Sequence, residues 1–266
     1  MSSREKLVRL RSLIAESGAA VVALSGGTDS TFLASVAASV PGFRVMAITV
    51  RTPYMFDDEL KDAALFCRSL SIDQREISVA IPASLGDNPP ERCYLCKSEL
   101  MGAIKAAAAE SGFDTVFDGT NADDLHEHRP GMRALKELNI RSPLAEAGLK
   151  KGEIRELARE AGLEVSDKPS NSCLMTRFPH GTTITVSELR KAHDAEMRIS
   201  ELGFTGARVR VHGDLARIEF RREELARILD EETRKKITAA IRKSGYRYVT
   251  IDLEGYRSGS MDIREA

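Results

Sequence analysis

Short, wholly apolar runs alternate with helical periodicity along the first half of the chain. The run Ala19–Leu24 has no polar side chain, which is typical of a parallel strand buried on both faces. Apolar residues spaced three and four apart predict helices on either side of this run. The predicted strands are Ala19–Leu24, Phe43–Val50, Gln74–Val79 and Thr115–Asp118, and the predicted helices are Ser3–Ser17, Thr31–Val40, Asp57–Leu70 and one that ends near Ser111. Strands that alternate with helices predict an α/β fold with a doubly wound parallel sheet.

The pattern changes near Gly181, where strict alternation replaces the continuous apolar runs. The predicted elements are a helix at Thr183–Leu202, a hairpin of Arg208–His212 and Leu215–Phe220, two short helices and a last strand at Tyr246–Leu253. Alternating strands on either side of a Gly-Asp pair are typical of a β-hairpin. We therefore predict two domains, 1–181 and a smaller C-terminal α+β domain at 182–266.

The string Ser25-Gly-Gly-Thr-Asp-Ser30 joins the first strand to the next helix. Two glycines let the backbone approach an anion, and a helix N-terminus directs unpaired amide groups towards it. Asp29 would repel a bare phosphate, so its presence indicates a magnesium ion or a helix cap. No lysine follows the glycines, which excludes the Gly-Lys-Ser/Thr loop of common nucleotide hydrolases. The string predicts a phosphate-binding loop, and an ordinary glycine-rich turn is the alternative.

Three of the four cysteines lie where a thiol can react. Cys93 and Cys96 stand one turn apart at the start of a predicted helix, whose dipole lowers the pKa of a thiol. Cys173 lies in a segment of small polar residues bracketed by prolines, which favours an exposed position. Cys67 lies within an amphipathic helix, where it is expected to pack as a small hydrophobic residue.

The three reactive thiols have several possible uses. A zinc site needs a fourth ligand, and the nearby pair His126 and His128 departs from the usual spacing of such ligands. A redox dithiol would leave Cys173 without a role. A Cys-x-x-Cys pair with one distant cysteine could hold three corners of a [4Fe-4S] cluster and leave one iron open.

Composition limits the class of partner. The 266 residues carry 39 basic and 40 acidic side chains, so no uniformly basic surface is available to nucleic acid. The apolar runs fall short of the roughly 20 residues that span a bilayer. The N-terminus lacks an apolar signal region, so we expect a cytoplasmic protein with reduced cysteines and no membrane partner.

The loop string matches Ser-Gly-Gly-x-Asp-Ser, the signature of the PP-loop ATP pyrophosphatases. Together with Asp118-Gly-Thr-Asn-Ala-Asp-Asp124, Arg129-Pro-Gly131, Arg141-Ser-Pro-Leu144 and Asp167-Lys-Pro-Ser-Asn-Ser-Cys173, it makes the chain resemble the LarE-type ATP-dependent sulfur transferases. These enzymes mature the nickel-pincer nucleotide cofactor of lactate racemase. The resemblance implies a Rossmann-like PP-loop domain and a homo-oligomer. It also implies that ATP adenylylates a carboxylate of pyridinium-3,5-biscarboxylic acid mononucleotide, after which sulfur displaces AMP to leave a thiocarboxylate.

The resemblance also suggests roles for individual residues. The ATP-binding candidates are Ser25, Gly26, Gly27, Thr28, Asp29, Ser30 and Arg129. The substrate-binding candidates are Arg177, Arg208 and Arg210. Arginines two apart on one strand face can fork a phosphate, although a solvated hairpin face has the same spacing. The magnesium candidates are Asp29, Asp123 and Glu196, with helix capping as the alternative for Asp123.

Two sulfur sources are known within the family. In one, the cysteine that matches Cys173 gives up its own sulfur and becomes dehydroalanine. In the other, three cysteines bind a [4Fe-4S] cluster whose open iron carries a transferable sulfide. The thiols at Cys93, Cys96 and Cys173 favour the second source, so the expected cofactors are ATP, Mg²⁺ and the cluster.

Three rival functions share part of this pattern. A tRNA-thiolating PP-loop enzyme uses the same loop with a similar cysteine trio, but it would need a basic groove. A PP-loop amide ligase would consume ammonia and would not need the cysteines. A non-catalytic nucleotide-binding protein could use zinc between the thiols as a structural clip.

Overall fold

The computed structural model describes residues 1–55, 57–126, 130–167, 172–257 and 259–261. The chain forms two compact units, one of Met1–Pro82 with Glu91–Ser170 and the other of Ala83–Pro90 with Asn171–Ala266. This division differs from the predicted boundary after Gly181, because Ala83–Pro90 pairs with a distant part of the chain. The Gly181 amide donates to the Asn88 carbonyl, which no local sequence pattern indicates.

The first unit is a helix-flanked parallel sheet. Its helices and strands are α1 (Ser3–Ala15), β1 (Ala19–Ala23), α2 (Thr28–Ser39), β2 (Arg44–Arg51), α3 (Asp57–Ser69), β3 (Asp73–Ser78), α4 (Arg92–Glu110), β4 (Val116–Phe117), α5 (Gly131–Glu137), α6 (Pro143–Glu146) and α7 (Lys151–Glu160). Within the described residues the strands lie in the order β3-β2-β1-β4, all parallel. This arrangement confirms the predicted α/β class.

The central strand β1 is buried on both faces, as its unbroken apolar run predicts. Val22 and Leu24 pack on one side with Phe32 of α2, whereas Val21 packs on the other side with Ile104 of α4. Because successive side chains of a strand point to opposite faces, an all-apolar strand needs helices on both sides. The sheet core therefore leaves the strand ends, and not the strand faces, for a ligand.

The second unit contains a small mixed sheet. Its helices and strands are α8 (Val186–Glu201), β5 (Arg208–His212), β6 (Leu215–Glu219), α9 (Glu231–Lys243) and β7 (Tyr248–Ile251). The predicted hairpin is present, with β5 antiparallel to β6, and β7 runs parallel to β6. The hydroxyl and amide of Thr185 exchange hydrogen bonds with Glu188 and so cap α8. None of the helices in the described ranges is long and apolar enough to cross a membrane.

Candidate active site

The loop after β1 presents backbone amides. Gly26 has a φ of +75°, in the left-handed region that favours glycine, and a Cβ there would lie 2.5 Å from the Glu59 carbonyl oxygen. Gly27 is the N-cap residue of α2, and no side chain caps the helix at that point. The first amides of α2 are therefore left for a ligand, as at other phosphate sites on helix N-termini.

Hydroxyl groups fix the shape of this loop. Ser25 Oγ lies 3.1 Å from Ser30 Oγ, and it accepts a hydrogen bond from the Gly27 amide at 3.4 Å. Thr28 Oγ1 donates to the Val165 carbonyl at 2.7 Å. The hydroxyl of Thr28 therefore anchors the loop to Val165. The phosphate contact predicted for this residue would then be made by its backbone amide.

The carboxylate of Asp29 has only part of its hydrogen-bonding capacity occupied. Its Oδ2 accepts a hydrogen bond from Asn121 Nδ2 at 3.3 Å and lies 3.9 Å from Lys151 Nζ, whereas its buried Oδ1 has no hydrogen-bond partner among the residues that the structure describes. Burial raises the pKa of Asp29, and Lys151 and Asn121 offset part of that effect. A buried carboxylate oxygen without a partner suits a hard divalent cation, so this position fits a magnesium ion.

The loop after β4 meets the N-terminus of α2. A Cβ on Gly119 would lie 2.9 Å from the Ser30 amide nitrogen, so only a glycine allows this approach. The strand order reverses between β1 and β4, and ligands of open α/β sheets bind at such a switch point. Buried Asp118 holds Lys97 Nζ at this edge, at 3.1 Å.

Cys93 and Cys96 lie at the same edge of the sheet. Cys96 Sγ shares a 3.3 Å hydrogen bond with the hydroxyl of Tyr54, a buried residue just beyond the carboxyl end of β2. Burial raises the pKa of the Cys96 thiol, and nearby Cys93 raises it further, against the opposing effects of Tyr54 and Lys97. The lowered pKa expected from the helix dipole is therefore wrong for Cys96, because burial is the larger effect.

The fourth thiol has a different environment. Cys67 is 1% exposed within the core of the first unit, which confirms its predicted packing role. Burial raises the pKa of Cys67 to about 11. By contrast, Cys93 is exposed on the surface and Cys96 is half-buried.

Cys173 belongs to the second unit, where buried Arg177 holds its backbone. The thiol is exposed and stands directly before the 3₁₀ turn Leu174–Arg177. Arg177 Nη1 donates to the carbonyl and hydroxyl of Ser172, at 3.1 and 2.6 Å, and to the Cys173 carbonyl at 3.3 Å. Its Nε and Nη2 pair with both oxygens of Glu196, at 2.7 and 2.9 Å.

This geometry corrects two predictions. Arg177 has no exposed surface, so it is a positioning residue for the Cys173 turn and does not fit the predicted contact with substrate. Glu196 uses both oxygens on Arg177, and Oε1 also accepts the Val209 amide at 2.9 Å. Glu196 therefore does not fit the predicted magnesium role. Asp123 Oδ2 accepts the Lys151 amide at the start of α7, at 2.9 Å, which supports helix capping over metal binding.

Asn88 supports the Cys173 turn from a part of the chain that lies far away in sequence. It is fully buried with a φ of +47°, and its Nδ2 donates to the carbonyls of Phe178 and Pro179, both at 3.0 Å. These contacts hold the chain immediately after the turn. Sequence reasoning missed Asn88, because nothing near it in the chain points to residues some ninety positions away.

The two arginines of β5 are bound in different ways. Arg210 donates from Nε and Nη2 to Glu219 Oε2, at 2.9 and 2.7 Å, and from Nη1 to the Thr176 carbonyl at 3.0 Å. Arg208 is 8% exposed, and its Nε has no hydrogen-bond partner. Within the described residues it makes no ion pair, and its one hydrogen bond is from Nη1 to the Ala207 carbonyl. Burial, followed by the charge of Arg177, lowers the pKa of Arg208.

Two further points concern metals and ATP. Among the residues that the structure covers, no group of three or more His, Cys, Asp or Glu side chains is arranged as a metal site. The predicted ATP residue Arg129 lies outside the described residues, as do Lys168, Pro169, Ser170 and Asn171 of the motif before Cys173. The cluster ligands therefore stay a prediction.

The profile of a protein family described as NAD synthase matches residues 3–89, which span the loop at Ser25–Ser30. An uncharacterized protein of Synechocystis sp. is 39% identical over 97% of both chains. One of Methanocaldococcus jannaschii is 32% identical over 96% of this chain and 98% of its own. Pyridinium-3,5-bisthiocarboxylic acid mononucleotide synthase of Lactiplantibacillus plantarum is 33% identical over 91% of this chain and 88% of its own. The chain belongs to the LarE-type ATP-dependent sulfurtransferase family.

Membership in the LarE-type family confirms the predicted fold, resemblance and enzyme class. It does not assign the individual residues, and sequence reasoning missed several that the geometry reveals. Tyr54, Asn121 and Glu219 are buried polar partners of candidate residues, and buried Asn88 holds the chain just after the Cys173 turn. Asn121 was within reach of sequence reasoning, because it lies in the quoted Asp118–Asp124 motif just after a predicted strand.

Proposed function

We propose that this LarE-type enzyme uses ATP to activate a carboxylate of pyridinium-3,5-biscarboxylic acid mononucleotide and then introduces sulfur to give a thiocarboxylate. The observation that carries the proposal is the exposed Cys173 thiol on a turn fixed by fully buried Arg177. A thiol held this way is accessible and pre-oriented, as a sulfur donor or ligand must be. The name of the Lactiplantibacillus relative supports the substrate class.

Activation takes place at the glycine loop. The amides of Thr28, Asp29 and Ser30 at the start of α2 would bind the β- and γ-phosphates, while the substrate carboxylate attacks the α-phosphorus and pyrophosphate leaves. Asp29 would hold a magnesium ion, which supplies charge neutralisation on the phosphate oxygens when bound. Arg208 of the second unit would hold the phosphate of the mononucleotide, because it is a buried cation without a carboxylate partner.

Sulfur transfer completes the reaction. A sulfur nucleophile attacks the acyl carbon of the adenylate, and AMP leaves with the bonding electrons. Cys93, Cys96 and Cys173 would hold a [4Fe-4S] cluster, which supplies a transferable sulfide at its open iron when bound. The alternative source is the sulfur of Cys173 itself, which would leave dehydroalanine. The cluster is favoured because it gives Cys93 and Cys96 a role.

A single reaction tests the proposal. The purified protein with ATP, Mg²⁺ and the biscarboxylic mononucleotide is expected to release AMP and pyrophosphate and to form a thiocarboxylate that mass spectrometry detects. Cys173→Ala should abolish the thiocarboxylate while carboxylate-dependent pyrophosphate release persists, and Cys67→Ala should behave as wild type. Thiolation by Cys173→Ala would contradict the proposal, as would an amide formed with ammonia or a salt-sensitive thiolation of tRNA.

The sulfur source is tested separately. Anaerobic iron and acid-labile sulfide analysis should find about four of each per chain for a bound cluster, with Cys93→Ala losing both. A protein without iron that loses one sulfur atom from the Cys173 peptide during turnover would establish the sacrificial route.

The division of labour between the units is also a proposal. The second unit would bind the mononucleotide and support a homo-oligomer, and the first would bind ATP. Light scattering on the purified protein tests the assembly, since a monomeric mass would contradict it.

A further inference from the structure

The segment that follows β7 is tied to the buried end of β6. The Tyr256 amide donates to the Phe220 carbonyl at 2.8 Å, and a Cβ on Gly255 would lie 2.9 Å from the same oxygen. Ser260 Oγ donates to Glu219 Oε1 at 2.6 Å. The amide hydrogen bond fixes the backbone at Tyr256, Gly255 allows the close approach to Phe220, and the Ser260 hydrogen bond holds the chain four residues further on.

The ring of Tyr256 lies beside the unpaired cation. Its centroid is 5.8 Å from the guanidinium carbon of Arg208, and the residue is 40% exposed. The nearby aromatic residues Phe204, Phe220 and Tyr246 are all at most 2% exposed. Among the described aromatic residues, Tyr256 therefore combines a position beside Arg208 with ring surface left for a ligand.

Arg208 indicates what such a ligand carries. A guanidinium that is nine-tenths buried, with an unpartnered Nε, is unfavourable until an anion reaches it. Arg210 cannot relieve it, because Arg210 is itself a cation, and Glu219 is already engaged by Arg210 and Ser260. A phosphate or carboxylate is the chemistry that completes this position.

A mononucleotide has its phosphate and its ring at opposite ends of one ribose. If the phosphate lies on Arg208, an aromatic face beside the guanidinium can receive the ring. A pyridinium ring is cationic, and a cation over a tyrosine face is stabilised by the ring quadrupole. A phosphate near Arg208 and a cationic ring near Tyr256 would thus satisfy both side chains at once.

We propose that Tyr256 is a specificity-determining residue whose ring stacks on the pyridinium ring of the mononucleotide that Arg208 holds by its phosphate. This inference rests on the proposed function, because the pyridinium substrate class comes from it. It assigns to the segment after β7 a direct part in choosing substrates with an aromatic cationic ring over other sugar phosphates.

Calorimetric titration with two probes tests this assignment. Nicotinic acid mononucleotide carries a pyridinium ring and a phosphate, whereas ribose 5-phosphate carries only the phosphate. In Tyr256→Leu the affinity for nicotinic acid mononucleotide should fall about tenfold, while that for ribose 5-phosphate stays unchanged. Tyr256→Phe keeps the ring and should retain most of the affinity. Leu253→Ala, which changes a neighbouring residue that is 90% exposed, should match wild type for both probes.

The outcomes separate the two proposals. Equal affinity of Tyr256→Leu and wild type for nicotinic acid mononucleotide would overturn the stacking role and leave the proposed function intact. Equal losses for both probes would also overturn it, since they would indicate a structural or phosphate-binding role. A wild-type protein that binds neither probe would overturn the anion site at Arg208, and the stacking role with it. Formation of a thiocarboxylate from the biscarboxylic mononucleotide is measured independently of these titrations.

Discussion

Asp29 in the first unit and Arg208 in the second each have a buried polar atom without a hydrogen-bond partner among the described residues, but their charges have opposite signs. Burial raises the pKa of Asp29 and lowers that of Arg208, so each is pushed towards its neutral form. Asp29 stands in the first turn of α2 just after the glycines, and a carboxylate at this position suits a polyphosphate that arrives with a metal ion. The second unit offers a guanidinium directly, which suits a phosphate that arrives alone.

The two proposed anion sites are built in different ways. The loop is a continuous string in which the backbone is the proposed binding group, so its parts are neighbours in sequence. The second unit has three buried arginines, and the proposed anion site is at the one whose guanidinium has no carboxylate opposite it. Arg177 and Arg210 each pair with a carboxylate, whereas Arg208 forms no ion pair within the described residues.

We expect the greatest change from a substitution that disturbs the backbone of the glycine loop. Gly26→Ala places a Cβ against the Glu59 carbonyl in a left-handed conformation, so pyrophosphate release should fall by about a hundredfold or more. Gly27→Ala is the matched control, because its Cβ would meet only Ser25 Oγ, at 3.4 Å. Equal activity of the two variants, measured by pyrophosphate release, would contradict the loop geometry.

The paired arginine of the Cys173 turn should matter for folding. Arg177→Ala leaves Glu196 buried without its cation, which is expected to lower the free energy of unfolding by about 3 kcal/mol or more. Urea denaturation measures this change. Lys235→Ala breaks an ion pair in which both side chains are about three-quarters exposed, and no measurable change is expected there. Similar stabilities for both variants would show that the buried pair does not support the unit.

Arg208 and Arg210 should differ when each is changed to glutamine. Arg208→Gln removes an unpaired buried charge, so the free energy of unfolding should hold or rise while affinity for a mononucleotide falls by about tenfold or more. Arg210→Gln breaks the pair with Glu219 and should lower the unfolding free energy by about 3 kcal/mol. The prediction would be contradicted if the two variants lost similar affinity in calorimetry and similar stability in denaturation.

Asn88 offers a smaller test, which concerns the support of the Cys173 turn. Asn88→Gly accepts the positive φ but removes the hydrogen bonds to Phe178 and Pro179, so the unfolding free energy should fall by about 1–3 kcal/mol. The alkylation rate of Cys173 should change, whereas that of exposed Cys93 should not. An unchanged alkylation rate of Cys173 would show that Asn88 does not position the Cys173 turn.

The smallest effect is the pH dependence that Asp29 contributes. Its folded-state pKa is raised, so the folded chain binds the proton more tightly than the unfolded chain. The stability from this group is fully present below the unfolded pKa of about 3.9 and is lost as pH rises through the folded pKa. Asp29→Asn should remove this loss, so the stability difference between variant and wild type should grow in favour of the variant across that pH range. Parallel stability curves in denaturant titrations without magnesium would contradict the shift.

Much of the first unit was predictable because its signals are local. The unbroken apolar run predicts β1, the two glycines predict the turn, and the apolar periodicity that follows predicts α2, all within neighbouring residues. The hairpin of β5 and β6 was equally readable from its alternation around Gly213. The second unit's boundary was not predictable, because Ala83–Pro90 joins it through hydrogen bonds to residues far along the chain.

Local patterns in the chain were enough to predict the fold class, the glycine loop and the packing of Cys67 within its helix. The surroundings of the charged candidates came from the three-dimensional fold: Glu196 pairs with buried Arg177, whereas Arg208 forms no ion pair within the described residues. The physical reason is that a backbone conformation depends on neighbouring residues, whereas the energy of a buried charge depends on whichever group the fold places opposite it.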